Sequence, residues 1–527
     1  MMDPTALHQA LSGEDEIALI DVREEGHFGS GHILVAANAP LSRLELDIGD
    51  RIPRRSAPVV LCDGGGEGLA ERAQSVLAGR GYTDVAILEG GTAAWAAAGY
   101  QLFTGINVPS KAFGEYVEHH FGTPRLAPRA VAAAAESGRS MVIVDSRPFD
   151  EYRAMNIPGG IDLPGAELVH RIKDIAPAPD TLVVVNCAGR TRSIIGAQSL
   201  INAGLENDVV ALENGTMGWH LAGLTLERGA DRRGQDKPPS ALAARWGRAA
   251  ADRVAERFGV TGVSWSQVEA WREESDRRTL YLLDVRQPEE FAAGHVPGSV
   301  NAQGGQLVQA TDRYVATRNA RLVLVDDTGT RARMTASWLV QMGWRYVYVL
   351  DDDLSALPLE AGAPDSAAAF PLSAERSIDL EALDRLTSRT VIDLASSLQY
   401  RQGHIPGARW AIRSQLADVL QGIDGDHPLV LTCPDGRLSV LAARDIEGHT
   451  ARPVSVLGGG TAVWQAAGRP LDKGFSGALC EPVDVYHRPY DREEGVESAM
   501  RDYLTWEVGL IEQIRQDNTL QFPDFPE

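Results

Sequence analysis

TLVVVNCAGRTRSIIGAQSL, residues 181–200, is the stretch on which the fold turns: an apolar run, then Cys187, a short loop carrying Arg190 and Arg192, then a helical pattern. The run is rich in β-branched residues and unbroken, as expected of a strand buried on both faces. A thiol at such a strand-to-helix junction sits where loop N–H groups and the positive end of the helix converge. That environment favours an anion and lowers a thiol's pKa. Arg190 and Arg192 are expected to deepen the effect, and Ser193 to cap the helix.

Outward from this stretch the same unit recurs. LIDVREEGHFGSGHI (19–33), IVDSRPFDEYRAMNIPGG (143–160), LLDVRQPEEFAAGHVPGS (282–299) and VIDLASSLQYRQGHIPGA (391–408) each read as an apolar strand ending in Asp, a polar helix start and a turn. Asp21, Asp145, Asp284 and Asp393 stand 11 residues before His32, Asn156, His295 and His404, so the copies align without gaps. A second apolar strand then ends at Cys62, Cys187, Asp326 or Cys433, at 41, 42, 42 and 40 residues from the first Asp. An amphipathic helix, a short strand and a Gly-rich turn lead on to Trp95, Trp219 and Trp464, whereas the third copy has VLDDDLSAL. Strands alternating with helices at a fixed period predict four small α/β units, each a parallel sheet with helices on both faces.

At 527 residues the chain is too long for one core, and roughly 100 to 200 residues per domain is the usual division. No run approaches the roughly 18 apolar residues of a membrane helix. The N-terminal MMDPTALHQALSGEDE has no basic region followed by an apolar one, so a cytoplasmic protein is expected. A net charge of −22 argues against general nucleic-acid or membrane-surface binding, which needs basic patches. Cys62, Cys187, Cys433 and Cys480 are too few for a disulfide framework and form no C-x-x-C pair. Reduced thiols are expected, with no metal and no cofactor.

The ordered set of Asp-x-Arg, Gly-His-x-Pro-Gly, a strand into a cysteine loop ending Arg-Ser, and a Gly-rich turn before Trp resembles the rhodanese family of sulfurtransferases, over about residues 5–470. The resemblance implies four tandem rhodanese-like domains, at 1–104, 105–232, 233–366 and 367–471, and leaves a C-terminal tail at 472–527. The boundaries fall where periodicity lapses: near Thr104, in GADRRGQDKPPS (229–240) and in AGAPDSAAAF (361–370). VPSKAFGEYVEHHF and SALAARWGRAAADRVAERF read as linker helices before copies two and three, and 494–516 as an amphipathic helix expected to pack onto the domains.

In that family the cysteine after the central strand carries sulfur as a persulfide, and copies without it are structural or regulatory. The resemblance therefore places the nucleophile on Cys187, in a loop of Ala188, Gly189, Arg190, Thr191, Arg192 and Ser193 that would bind an anionic donor. Cys433 and Cys62 are secondary nucleophile candidates. The first has Arg437 offset by Asp435; the second lies among Asp63 and Glu67 with no arginine, which raises its pKa and repels an anion. Copy three has Asp326 and Asp327 and is expected to be inactive. Its Asp284/Arg286 pair persists without a thiol, so the Asp-x-Arg pairs read as structural. Asn156 replaces the motif histidine in the copy with the best loop, which argues against His32, His295 and His404 as bases.

The expected reaction moves sulfane sulfur from thiosulfate or a similar small anionic donor to cyanide or a thiol; mercaptopyruvate is an alternative donor and a protein an alternative acceptor. Two rivals stand beside it. One is a phosphatase or arsenate reductase of the C-x5-R type, although only four residues separate Cys187 from Arg192. The other is a non-catalytic scaffold whose domains present surfaces to a partner.

Overall fold

A computed structural model describes residues 1–362, 376–423 and 425–525. The boundary expected at 366/367 lies outside the described residues. Copies two, three and four each build a five-stranded sheet from their own strands, whereas copy one supplies four strands and takes its fifth from copy three. In the second copy the order is Arg125–Leu126, Val209–Leu212, Leu182–Asn186, Met141–Asp145, Ile161–Asp162, all parallel. The third and fourth copies repeat this order. The central strand is buried along its whole length, which is why it reads as continuous Leu and Val. Among the described residues no helix is long and apolar enough to cross a membrane.

The repeat motifs close the ends of these strands. Arg147 Nε donates to Asp145 Oδ1 at 2.8 Å, and its Nη2 donates to Asp145 Oδ2 and to the Met155 carbonyl, tying the first strand to the turn after the helix. Arg23 and Arg286 repeat this on Asp21 and Gly31, and on Asp284 and Gly294. The motif histidines are buried, each linked through Nδ1 to the carbonyl four residues earlier and stacked on that residue's ring: His32 on Phe28, His295 on Phe291 and His404 on Tyr400. Burial pushes the His32 imidazole down to about 3, so it stays neutral. Trp95, Trp219 and Trp464 each donate the indole N–H to a carbonyl six residues on.

The four units pack as one body. Copies two and three share an apolar core with the helix Ala241–Arg257 between them. Thr317–Arg318, from copy three, adds an antiparallel strand to Ile17–Ala18 of copy one. Arg413 of copy four pairs with Glu45 of copy one at 2.6 Å. The tail leaves copy four and crosses copy one, where Gly26 N–H donates to the Val483 carbonyl. It then forms the helix Val496–Asp517, laid along the linker helix Val108–Phe121. The tail helix thus packs on the domains as expected, and it also reaches the Cys187 loop.

Candidate active site

The strand Leu182–Asn186 delivers Cys187 to the C-terminal end of its sheet, and the helix Thr191–Asn202 departs from the loop after it. This is the place where open α/β sheets bind ligands. The Gly-rich turn buttresses the loop from above. Gly215 has φ +57°, and a Cβ there would lie 2.3 Å from the Cys187 carbonyl oxygen, so only glycine fits. The next residue, Thr216, donates its N–H to that carbonyl at 2.9 Å. Gly91 and Gly460 meet the carbonyls of Asp63 and Cys433 in the same way. The turn recorded in the sequence as a repeat marker is therefore the clamp that shapes the cysteine loop.

Around the thiol the details differ from expectation in three ways. Cys187 is buried, and burial raises its pKa above the ordinary thiol value; Arg192 and the Ser193 hydroxyl act downward, Glu507 upward. Ser193 lies within the helix and not at its cap. Its Oγ donates to the Arg190 carbonyl at 2.8 Å and accepts from Cys187 Sγ at 3.5 Å, so it is placed to turn its hydroxyl onto a thiolate. Arg190 is withdrawn from the thiol: its Nε and Nη2 donate to the two Glu115 oxygens, Nη2 also to Glu118, and Nη1 to Asn214. The buried Glu115 carboxylate, with the half-buried Glu118 beside it, explains why it turns away. Arg192 keeps its place, paired with Glu151 at 2.7 Å and donating to Gln306 at 3.0 Å. That pairing holds the Glu151 carboxyl down to about 2.

The loop opens into a cavity of about 120 Å³ built from four parts of the chain. Copy two gives Cys187 and its loop. Copy three gives Gln306, the linker helix Lys111, and the tail Arg488, Tyr503 and Glu507. Glu507 accepts from Thr191 Oγ1 at 2.8 Å, while its Oε2 is buried without a partner. Lys111 and the tail residues were not among the sequence candidates. A signal for Glu507 was present: it interrupts the apolar stripe Met500, Leu504, Leu510, Ile514 of its own helix, where a charge is costly unless it has a task.

The sister loops show what occupies the same position elsewhere. In copy one the Asp63 carboxylate accepts from the N–H groups of Gly65 at 2.9 Å and of Leu69 and Ala70 at 3.2 Å. Asp21 and Asp63 join burial in raising the Cys62 pKa. In copy four Asp435 accepts from Arg437 N–H at 3.0 Å and from its Nε at 2.6 Å. In copy three Asp326 itself, at the cysteine position, accepts from Arg331 N–H and Nε, both at 2.9 Å. Arg331 then reaches Glu167 of copy two at 2.8 Å, while Arg192 reaches Gln306 of copy three. Glu167 and Gln306 each lie 22 residues after the first Asp of their copies, so copies two and three face each other as approximate mates. Cys480 lies outside the repeats and accepts from Ile412 N–H.

Comparison with known proteins places these features in a family. The rhodanese-like domain model matches residues 3–98, 127–222, 264–357 and 379–467. A crystal structure from Pseudomonas aeruginosa, named as a thiosulfate sulfurtransferase, is 47% identical with a TM-score of 0.93, covering 99% of each chain. Thiosulfate sulfurtransferase GlpE of Stutzerimonas stutzeri is 31% identical over 81 residues, 15% of this chain and 74% of its own. The HTH-type transcriptional regulator Rv0324 of Mycobacterium tuberculosis is 33% identical over 102 residues, 19% of this chain; the chain spans 44% of that protein's length. With four family matches, one on each of the four sheets, the chain belongs to the rhodanese family, as a tandem of four rhodanese-like domains.

Proposed function

We propose that the chain is a thiosulfate sulfurtransferase in which Cys187 takes sulfane sulfur from thiosulfate, or a similar small anionic donor, and passes it to cyanide or a thiol. The observation that carries this reading is the occupancy of the four loops. Loop one holds the Asp63 carboxylate on three backbone N–H groups, loop three holds Asp326 on two, and loop four holds Asp435 on the Arg437 N–H. Among the described residues no carboxylate accepts from the backbone N–H groups of 188–193, and the group facing them is a thiol. Asp326 supports the chemistry by analogy: at the equivalent position of copy three the loop already stabilises an anion. The 47% identity over the whole length to a chain named for this activity supports the same reading.

In the first half-reaction the Cys187 thiolate attacks the outer sulfur of thiosulfate. The Sγ–S bond forms, the S–S bond of thiosulfate breaks, and sulfite leaves with the bonding pair. The negative charge on the new terminal sulfur rests against the loop N–H groups, the helix start and the Ser193 hydroxyl. Cyanide or a thiolate then attacks that sulfur and Cys187 departs as the thiolate. Arg192 supplies positive charge at the loop; Arg190 positions the loop through Glu115, Glu118 and Asn214. Asp63 fills the cradle beside Cys62, so that thiol does not turn over; in copy four Asp435 takes the Arg437 N–H and its charge raises the Cys433 pKa, so that thiol is the weaker nucleophile. Copy three is a scaffold for copy two. A cavity of about 120 Å³ favours a small acceptor over a protein. Four free thiols suit a reducing, cytoplasmic compartment.

The test is thiocyanate formation from thiosulfate and cyanide by the wild type beside Cys62→Ser, Cys187→Ser and Cys433→Ser. Activity is expected to vanish in the Cys187 variant alone. Undiminished turnover in that variant would overturn the assignment, and phosphate-ester hydrolysis without thiocyanate would favour the phosphatase rival.

A further inference from the structure

The cavity at Cys187 is reached by five cationic side chains: Lys111, Arg190, Arg192, Arg313 and Arg488. Three are spoken for. Arg190 is paired with Glu115 and Glu118, Arg192 with Glu151, and Arg313 with Glu25. The Lys111 ammonium and the Arg488 guanidinium have no carboxylate oxygen within 4.0 Å among the described residues; Asp491 accepts from the Arg488 backbone N–H at 2.9 Å. Both lie outside the segment of copy two that the family model matches, one on the linker helix and one in the tail.

Burying two such cations beside a third is unfavourable unless an anion joins them. Lys111, which lines the cavity, has its ammonium 4.9 Å over the rings of both Tyr503 and Trp506. The charged groups that bear on it are Glu507, Asp312, Arg488 and Arg192. Burial pushes it down to about 8, so it carries its charge at neutral pH. Those that bear on Arg488 are Glu151 and Arg192, with the Tyr490 hydroxyl. Glu507 and Asp312 act on Lys111, and Glu151 on Arg488, from beyond ion-pair distance, so neither cation has a carboxylate in contact within a space that admits a small anion.

We infer that Lys111 and Arg488 form the subsite for the oxyanion end of the sulfur donor, so that donor recognition at Cys187 comes from the linker and the tail and not from the cysteine loop. The inference rests on the reading of Cys187 as the sulfur acceptor and extends it. The donor class is a small dianion with a sulfonate-like end, of the thiosulfate kind. It also gives the tail a reason to cross copy one: without it the site lacks Arg488, Tyr503 and Glu507.

The experiment uses the full chain with Lys111→Met and Arg488→Met, and reads two quantities. One is the thiosulfate concentration that half-loads Cys187 with persulfide, followed by intact-mass spectrometry. The other is the ratio of Cys187 alkylation rates by iodoacetate and iodoacetamide, which differ in charge and little in size. Each variant is expected to raise the half-loading concentration about ten-fold and to lower the ratio by a similar factor, with Lys111→Arg and Arg488→Lys close to wild type. In the wild type, inorganic sulfate is expected to slow alkylation by iodoacetamide. Unchanged half-loading and ratio in both methionine variants would overturn the inference. So would the absence of sulfate protection in the wild type, a measurement that needs no variant to fold. A wild type that shows sulfate protection and the charge-dependent ratio but never acquires sulfane sulfur would keep the anion subsite and overturn the sulfur-transfer reading.

Discussion

Glu507 Oε1 accepts a hydrogen bond of 2.8 Å from Thr191 Oγ1, joining the C-terminal helix to the cysteine loop across 316 residues of sequence. The contact places a buried acid beside the thiol, and its charge raises the Cys187 pKa. Glu507→Gln keeps an oxygen for Thr191 and removes the charge. The thiol pKa is therefore expected to fall, moving the pH midpoint of iodoacetamide alkylation of Cys187 downward. An upward or absent shift would show that the carboxyl does not act on the thiol.

Arg190 sits on Glu115 and Glu118 with little access to water. Replacing it with Met leaves the buried Glu115 carboxylate without its cation, while Glu118 keeps Arg125 at 3.3 Å, a change that costs about 3–5 kcal/mol where the site cannot relax. Arg192→Met is expected to cost less, because its partner Glu151 keeps more contact with solvent. Melting temperatures of the two variants check the order. A more stable Arg190 variant than Arg192 variant would contradict the positioning role.

Gly215→Ala would place a methyl carbon 2.3 Å from the Cys187 carbonyl oxygen at φ +57°. Gly223→Ala meets the same left-handed backbone, at φ +78°, with open space around it. The second variant should show only the backbone cost of about 1–2 kcal/mol. The first should lose more stability and nearly all sulfur transfer, since the loop must shift. Equal effects in calorimetry and in thiocyanate formation would mean the turn does not shape the loop.

Asp393 lacks the arginine that the other three copies pair with their first-motif Asp. Among the described residues it accepts only the Ala395 N–H, at 2.9 Å, and burial pushes it up to about 7. A carboxyl that binds its proton more tightly when folded makes stability fall as pH rises from the unfolded value near 4 to about 7. Asp393→Asn removes that loss. The variant is expected to match wild type below about pH 4 and to be more stable above pH 7, by about 2–4 kcal/mol. A gain that does not depend on pH would rule out the carboxyl as its source.

Much of the fold was legible because each repeat carries its own local logic. The Asp-x-Arg pair, the Gly-His-x-Pro-Gly turn and the Gly-rich turn act within about 100 residues, and the structure uses each where the repeat places it. The site was legible only in part. Cys187 and its loop could be singled out by comparing four copies, and the sister loops differ from it as their acids suggest. Arg190 could not be placed from the loop, because Glu115 and Glu118, which hold it, belong to a linker helix about 75 residues earlier. Ser193 read as a cap because hydroxyls favour helix starts, but the helix begins two residues before it, and its hydroxyl is engaged by Cys187 and Arg190.

The sequence by itself determined four α/β units, their order and the loop with the best claim to chemistry, since periodicity and turn residues act locally. Only the tertiary structure decided what surrounds the thiol. Copy three, a linker helix and the tail converge on one cavity of about 120 Å³, and which charges there are cancelled depends on partners up to hundreds of residues away. Electrostatic effects fall with distance in space and not along the chain, so no spacing within residues 181–200 could reveal that Arg190 is neutralised while, among the described residues, the Lys111 and Arg488 side chains have no carboxylate in ion-pair contact.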